Sequence, residues 1–352
     1  VRILILECDG IGPEVIAASM PVLESAEKRF GLGLRFEQDD VGHAGIKTHQ
    51  HAFHDSVLEK CHAADGVIMG PHDANSYPAE HQTYPNPSSI IRMKMDLFAN
   101  MRPCKVRPGV PAHVKAMDLI VARENTEGFY ADRNMYAGHG EFMVTPKLAQ
   151  AVRNISYEAS ARITRAACEL AMQRRKKVTL LHKVHVMKMT DGLFLEAARD
   201  VTKDYPEVEV EEVIVDAMFA LAVRRPESFD LIVATNLYGD LLSDLTAELS
   251  GGLGIGSSIN SSLDHCIAQA AHGSAPDIAG QNIANPTAMI LSCGMLFTWL
   301  AAKHNNPAFN EAGQAIEAAV DAQLQARRTR DLGGDMNCDE FGKEIAQRVL
   351  NG

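Results

Sequence analysis

A chain of 352 residues that is 46% hydrophobic can bury a large core and is long enough to divide into two lobes. Its formal net charge of −11 speaks against a nucleic-acid surface or an anionic membrane as a partner. Seven cysteines, odd in number and never spaced as CxxC, fit free thiols in a reducing compartment rather than structural zinc or a disulfide framework, so a cytoplasmic protein is expected.

Val1 to Leu6 is β-rich and runs into Asp9-Gly10-Ile11-Gly12-Pro13-Glu14, where Pro13 suits a first helical turn and an amphipathic stretch continues to about Arg29. No signal-peptide layout follows that strand, and no apolar run reaches spanning length. The alternation then repeats: strand Val67 to Met69, helix Ile90 to Phe98, strand Leu119 to Val121, one long helix Pro146 to Gln173, strand Val178 to Leu181, helix Asp191 to Thr202, strand Val208 to Val215. Such alternation predicts an α/β fold with a mostly parallel sheet under helical cover. Gly128 to Val144, rich in Tyr, Phe, Gly and Met without helical period, reads as an extended arm or hairpin able to clasp a second copy. Past Gly256 come a Ser-rich linker, a glycine-punctuated loop from His272 to Pro286 and three helical runs ending at Leu350.

Several segments carry candidate chemistry. The run FDLIVATNLYGDLLSD feeds a helix with Asp240 and Asp244 four residues apart, which puts both carboxylates on one face at the C-terminal end of a strand. Two hard oxygen donors there suit Mg²⁺ or Mn²⁺, and they equally suit a solvated helix face. Arg92, Arg102 and Arg123 would bind a di- or tricarboxylate if they converge, and would make separate surface ion pairs if they do not. Lys183, at a strand end, becomes a base with lowered pKa if it faces a cleft. The loop His272-Gly273-Ser274-Ala275-Pro276-Asp277-Ile278, continuing to Asn285, offers small residues, an imidazole and an acid for a ribose diol, or is an ordinary surface loop. Gly10-x-Gly12 makes a poor dinucleotide fingerprint because Val15 occupies the third glycine position, and the glycines after the Asp240 helix fit a helix end and turn. The His49, His51, His54 cluster lacks nearby acid or thiol ligands for a metal.

Taken in order, DGIGPEV, NMRP, RENTEGFY, HKVHVMKMTDGLF, TNLYGDLLSD, HGSAPDIAGQNIANP and DLGGD resemble the β-decarboxylating dehydrogenases, a family that includes isocitrate, homoisocitrate, 3-isopropylmalate and D-malate/tartrate dehydrogenases. The resemblance implies a two-lobed α/β fold with parallel and mixed sheets, distinct from a Rossmann fold. It divides the chain into a cofactor-binding lobe of residues 1–99 plus 252–352 and a central dimerisation and metal-binding lobe of residues 100–251, with its arm at about 128–144. It further implies that Arg92, Arg102 and Arg123 bind the carboxylates of a malate core. Asp216, Asp240 and Asp244 would hold Mg²⁺ or Mn²⁺, and Lys183 and Tyr130 would move protons. Asp216 and Lys183 would then come from the neighbouring subunit of a homodimer.

The same resemblance places NAD against His272, Gly273, Ser274, Ala275, Asp277, Ile278 and Asn285, with Asp277 accepting the ribose hydroxyls and repelling a 2′-phosphate. Asn86 and Ser88, before Arg92, make the substituent pocket polar and favour isocitrate or homoisocitrate over 3-isopropylmalate or D-malate/tartrate. His185 and Gln269 depart from the family's usual asparagine and glutamate, which marks an altered substrate, a divergent subgroup or a catalytically silent regulatory subunit, the last opposed by the intact set Arg92, Arg102, Arg123, Tyr130, Lys183, Asp216, Asp240 and Asp244.

Overall fold

Strand β1 (Arg2–Leu6) is buried along RILIL, as a strand covered on both faces must be. It passes into α1 (Gly12–Phe30) through a turn with Gly10 at φ 57°, and Pro13 sits in the first helical turn, where its missing N–H is no loss. β2 (Arg35–Asp39), α2 (Gly42–His49), α3 (Asp55–Ala63), β3 (Gly66–Met69) and α4 (Pro87–Lys94) follow. The helix expected to run from Ile90 to Phe98 therefore starts earlier, at an Asn86 cap, and ends before Phe98. The three clustered histidines serve local structure. His49 Nε2 lies 2.8 Å from Asp39 Oδ1, His54 Nδ1 accepts the Ser56 N–H at the start of α3, and His51 Nδ1 accepts the Phe53 N–H. Buried Asp9 accepts from the backbone N–H of His43 and Asp73 and from the Tyr77 hydroxyl, so one carboxylate pins α2 and the segment after β3.

This computed structural model describes residues 1–82, 86–130 and 135–352, so residues 131–134 of the expected arm lie outside the described residues. The chain divides into two units. Val1–Met95, Arg107–His113 and Ser250–Gly352 form one, and Asp96–Val106 with Val114–Leu249 form the other.

The central unit opens with β4 (Ala99–Lys105) and β5 (Asp118–Glu124), an antiparallel pair in which Arg102 faces Val121. β6 (Glu141–Thr145) and β7 (Leu148–Ala151) make an antiparallel hairpin with every residue exposed, including Phe142, Met143 and Leu148. The long helix expected from Pro146 is thus a hairpin strand followed by α5 (Tyr157–Met172), which begins where Ser156 Oγ accepts the Ala159 N–H. Then come β8 (Lys177–His182), α6 (Thr190–Thr202), β9 (Glu209–Ile214), α7 (Val215–Arg224), β10 (Leu231–Ala234) and α8 (Asn236–Ser250). The strands of this unit lie in the order β4-β5-β10-β8-β9, parallel from β5 onward. Cys104, Leu119, Val121, Met218, Phe229, Ile232 and Leu242 are among the residues of one core beneath it.

The C-terminal part returns to the first unit. β11 (Ile259–Ser261) and β12 (Cys266–Ala268) pair antiparallel, and β12 runs parallel to β3, giving the order β2-β1-β3-β12-β11. α9 (Thr287–His304) packs on α10 (Pro307–Ala326), and α11 (Cys338–Asn351) packs on α1. Among the described residues no helix is long and apolar enough to cross a membrane. All seven cysteines are buried and unpaired.

Candidate active site

Two arginines and two aspartates converge in the central unit. Arg123, on β5 and 1% exposed, donates through Nε and Nη2 to Asn236 Oδ1 at 2.9 and 2.7 Å, and its Nη1 pairs with Asp240. Arg102, on β4, donates to Asn100 Oδ1 and Ser243 Oγ, each at 2.8 Å, and to Asp244 Oδ1 at 3.1 Å, with Asp240 Oδ1 at 3.2 Å from the same nitrogen. The Tyr130 hydroxyl donates to the other oxygen of Asp240, and its ring lies 5.0 Å from the Arg123 guanidinium carbon. Antiparallel pairing brings Arg102 and Arg123 to adjacent strands, while α8, leaving the adjacent strand β10, turns both carboxylates toward them. At Gly239 an added Cβ would stand 2.8 Å from Arg123 Cβ and Cγ, so only glycine lets α8 lie this close to the arginine.

Burial raises the pKa of Asp244, with Asp240 adding to the rise and Arg102 opposing it. Carboxylates four residues apart, partly exposed and repelling each other, fit a hard divalent cation as two of its donors. Among the described residues, no group of three or more His, Cys, Asp or Glu side chains is arranged to hold a metal, so Asp216 is not gathered with them within this chain. It lies instead at the start of α7, where its Oδ1 accepts from Lys183 Nζ at 2.8 Å, a hydrogen bond that lowers the aspartate's pKa. Lys183 follows β8, and its backbone N–H is held by Asp191, fully buried and paired with Arg153.

In the other unit, Arg92, Asn86 and Ser88 all belong to α4 or its cap. Asn86 Oδ1 accepts the Ser89 N–H and a 3.1 Å bond from His72 Nε2, so this amide oxygen is engaged in capping the helix. Ser88 is buried and accepts from Gln269 Nε2 at 3.0 Å, while Arg92 Nη2 donates to Gln269 Oε1 at 3.2 Å. Burial, joined by the charge of Arg92, holds His72 below the usual imidazole range.

The loop from His272 is docked on the first turn of α1, where Ile11 N–H donates to Ser274 O at 2.8 Å and Gly10 leaves no room for a side chain against Ser274. Ala275 has φ 39°, and its carbonyl accepts the Ile278 N–H. Gly273 and Asp277 are exposed, and open space surrounds the position of a Cβ on Gly273. His272 Nδ1 meets the Gly273 carbonyl, its Nε2 is a buried polar atom without a hydrogen-bond partner, and burial lowers its pKa. A loop with that orphaned nitrogen, close backbone and an outward acid fits a nucleotide. Asn285 is turned inward instead, donating to Asp331 Oδ2 at 2.9 Å and accepting the Thr287 N–H ahead of α9.

Residues that sequence reasoning passed over hold much of this arrangement: Asn100, Asn236, Ser243, Asp191 and Arg153. The Thr-Asn after the apolar β10 run was the available signal for Asn236, because an Asx side chain at a strand-to-helix junction commonly bonds nearby groups.

A sequence profile for the family described as isocitrate/isopropylmalate dehydrogenase matches residues 2–345. The isocitrate/homoisocitrate dehydrogenase of Thermus thermophilus is 40% identical over 99% of this chain and 98% of its own length. The 3-isopropylmalate dehydrogenase of Archaeoglobus fulgidus is 38% identical over 98% of each. The crystal structure of isocitrate dehydrogenase from Methylococcus capsulatus superposes with a TM-score of 0.87 at 34% identity, covering 99% of both chains.

Proposed function

This chain belongs to the isocitrate/isopropylmalate dehydrogenase family, and we propose that it is an NAD- and divalent-metal-dependent enzyme that oxidatively decarboxylates a 3-substituted malate, with isocitrate or homoisocitrate favoured. The convergence of Arg102 and Arg123 on Asp240 and Asp244, with Tyr130 on the same carboxylate, carries the reading. Planar guanidinium forks suit the carboxylates of a malate core. When bound, the nicotinamide supplies a hydride acceptor for C2 and the cation a positive charge for the substrate oxygens. Lys183, whose Nζ donates to Asp216 Oδ1 of the same chain, takes the proton from the C2 hydroxyl. After the β-carboxyl has left as CO₂, Tyr130, whose hydroxyl stands on Asp240 beside Arg123, delivers a proton to C3 of the enolate.

We assign the metal to Asp240 and Asp244 with Asp216 of a second copy, and Lys183 to the partner's reaction in a homodimer. The exposed apolar hairpin β6–β7 supports pairing of two chains. NAD is assigned to the loop from His272 to Ile278, with exposed Asp277 as the acid that rejects a 2′-phosphate. Seven buried, unpaired thiols support a reducing, cytoplasmic setting. The 3-isopropylmalate dehydrogenase activity of the Archaeoglobus relative and the buried Ile91 of α4 favour 3-isopropylmalate as the second reading.

The test is NADH formation by the purified protein with Mn²⁺, comparing kcat/KM for isocitrate, homoisocitrate, 3-isopropylmalate, D-malate and tartrate. Highest values for the first two are expected. Preference for 3-isopropylmalate would establish the second reading, and no turnover with any of them would refute the proposal.

A further inference from the structure

Asp191 stands in the first turn of α6, wholly buried, and its Oδ2 accepts the backbone N–H of Lys183. Its Oδ1 pairs with Arg153 Nη1. Arg153 follows β7, and only 6% of its side chain is exposed. The same Nη1 donates to Thr190 Oγ1 at 2.8 Å, and Nη2 donates at 3.1 Å to Oγ1 of Thr235, between β10 and α8. The rings of Phe129 and Tyr238 lie 5.4 and 5.3 Å from the guanidinium carbon and screen the pair from water. One buried ion pair thus ties the segment after β7, the end of β10 and the turn between β8 and α6.

That turn carries Lys183. Its carbonyl accepts the N–H groups of Val186 and Met187 at 3.0 and 2.9 Å, so its backbone is held at the nitrogen by Asp191 and at the oxygen by the turn itself. A lysine side chain is long and flexible, and where its ammonium can stand is set by the backbone it leaves and by what its tip meets. Here the tip meets Asp216, and the backbone end is the one the buried pair controls. An ion pair in a core often stabilises a fold no better than apolar residues of the same volume. What this one supplies is direction, since each carboxylate oxygen has one fixed donor. A proton-transfer group needs fixed direction, because a misplacement of about 1 Å can cost about a hundredfold in rate.

We propose that Asp191, itself held by Arg153, is the positioning residue for Lys183 as the base that takes the C2 hydroxyl proton. The inference rests on the proposed function. In oxidation that proton passes to Lys183 Nζ as hydride leaves C2 for NAD, and the C2 carbonyl forms. In the next step the bond from C3 to the β-carboxyl breaks, CO₂ leaves, and the electron pair stays in the enolate. No hydroxyl proton remains to be removed there, so a misplaced Lys183 slows the first step and spares the second.

The experiment compares two rates of the purified protein with Mn²⁺: NADH formation from isocitrate and NAD, and CO₂ release from oxalosuccinate, the 2-oxo acid of isocitrate, above the enzyme-free rate. Where the parent prefers another malate, that substrate and its oxo acid take their place. Lys183→Met sets the reference pattern, with oxidation lost and CO₂ release kept. Asp191→Asn cannot serve both partners, because its amide nitrogen must face either the Lys183 N–H or Arg153, donor to donor. It should lower kcat for oxidation by about tenfold or more, while KM for the malate and the rate of CO₂ release stay within about twofold of the parent. Arg153→Lys keeps a charge beside Asp191 but loses the fork, and should move the same ratio of rates by about threefold, which carries the test if Asp191→Asn does not fold. Equal falls in both rates, unchanged rates, or a rise in KM alone overturn this inference and leave the proposed function standing. If Lys183→Met loses both rates alike, the role given to Lys183 falls and this inference with it. A parent that forms no NADH from any of the malates overturns the proposed function and this inference together.

Discussion

Asn236 offers the sharpest test of how the arginine cluster is held. Its Oδ1 receives two N–H groups of Arg123, at 2.9 and 2.7 Å, and its Nδ2 donates to the Glu127 carbonyl at 2.8 Å, with both Asn236 and Arg123 only 1% exposed. Asn236→Ala removes two charge-assisted bonds at about 1.5 kcal/mol each and one neutral bond at about 1 kcal/mol, a loss of about 4 kcal/mol. At roughly 2–4 °C per kcal/mol, the melting midpoint of the central unit should fall by about 8–16 °C. Asn236→Asp keeps the oxygen that accepts both Arg123 N–H groups and loses only the donation to Glu127 O, costing about 1–3 kcal/mol. Differential scanning calorimetry at one protein concentration should therefore rank the parent above Asn236→Asp and that variant above Asn236→Ala. Equal midpoints for the two variants, or an alanine variant within about 2 °C of the parent, would refute the view that this amide carries Arg123.

Four further outcomes are expected. Burial, with Glu124 adding its charge, lifts Glu127 from the usual 4.5 to about 7, so its contribution to stability is whole below about 4.5 and is lost as pH rises through about 7. Urea midpoints of the parent should fall relative to Glu127→Gln across that window, and parallel curves would contradict the shift. Gly239→Ala drives a methyl against the Arg123 stem and should cost about 1–3 kcal/mol with a matching fall in kcat/KM, checked by thermal melts and NADH formation. Asp277→Lys should erode the preference for NAD over NADP, and unchanged cofactor selectivity would remove Asp277 from that role. Mixing the separately inactive Lys183→Met and Tyr130→Phe homodimers should restore about a quarter of the activity if sites are shared between subunits, since half the dimers then carry one intact site. Mixtures that stay inactive after verified exchange would place both residues in one chain's site.

Regular strand-to-helix switches were legible in the sequence because their apolar periods are long and bounded. β1 to α1 and β10 to α8 both fall where composition changes from a buried run to an amphipathic one. β4 was not, since Arg102 and Pro103 interrupt its strand pattern, and its pairing with β5 is a long-range fact. The segment from Pro146 misled because Leu148, Ala149 and Ala151 mimic helix formers, although the Ser156 cap with Glu158 in the first turn marks the true start. Asp240 and Asp244 were readable as one helix face, whereas their arginine partners come from strands more than a hundred residues away in the chain. Gln269 stood out only as a departure, and its work became visible once Ser88, Arg92 and the Gly70 carbonyl surrounded it.

The buried sulfur atoms have a practical consequence. Burial raises the pKa of every one of the seven thiols, those of Cys104 and Cys168 to about 11 and those of Cys61, Cys293 and Cys338 to about 12. The folded chain is therefore a poor target for maleimides or iodoacetamide at neutral pH, and alkylation proceeds through opened molecules. Cys104 and Cys168 lie in the central unit, and Cys8, Cys61, Cys266, Cys293 and Cys338 in the one built from both chain ends. Mass-resolved labelling would thus time the opening of each unit from its native sulfurs, without any engineered probe.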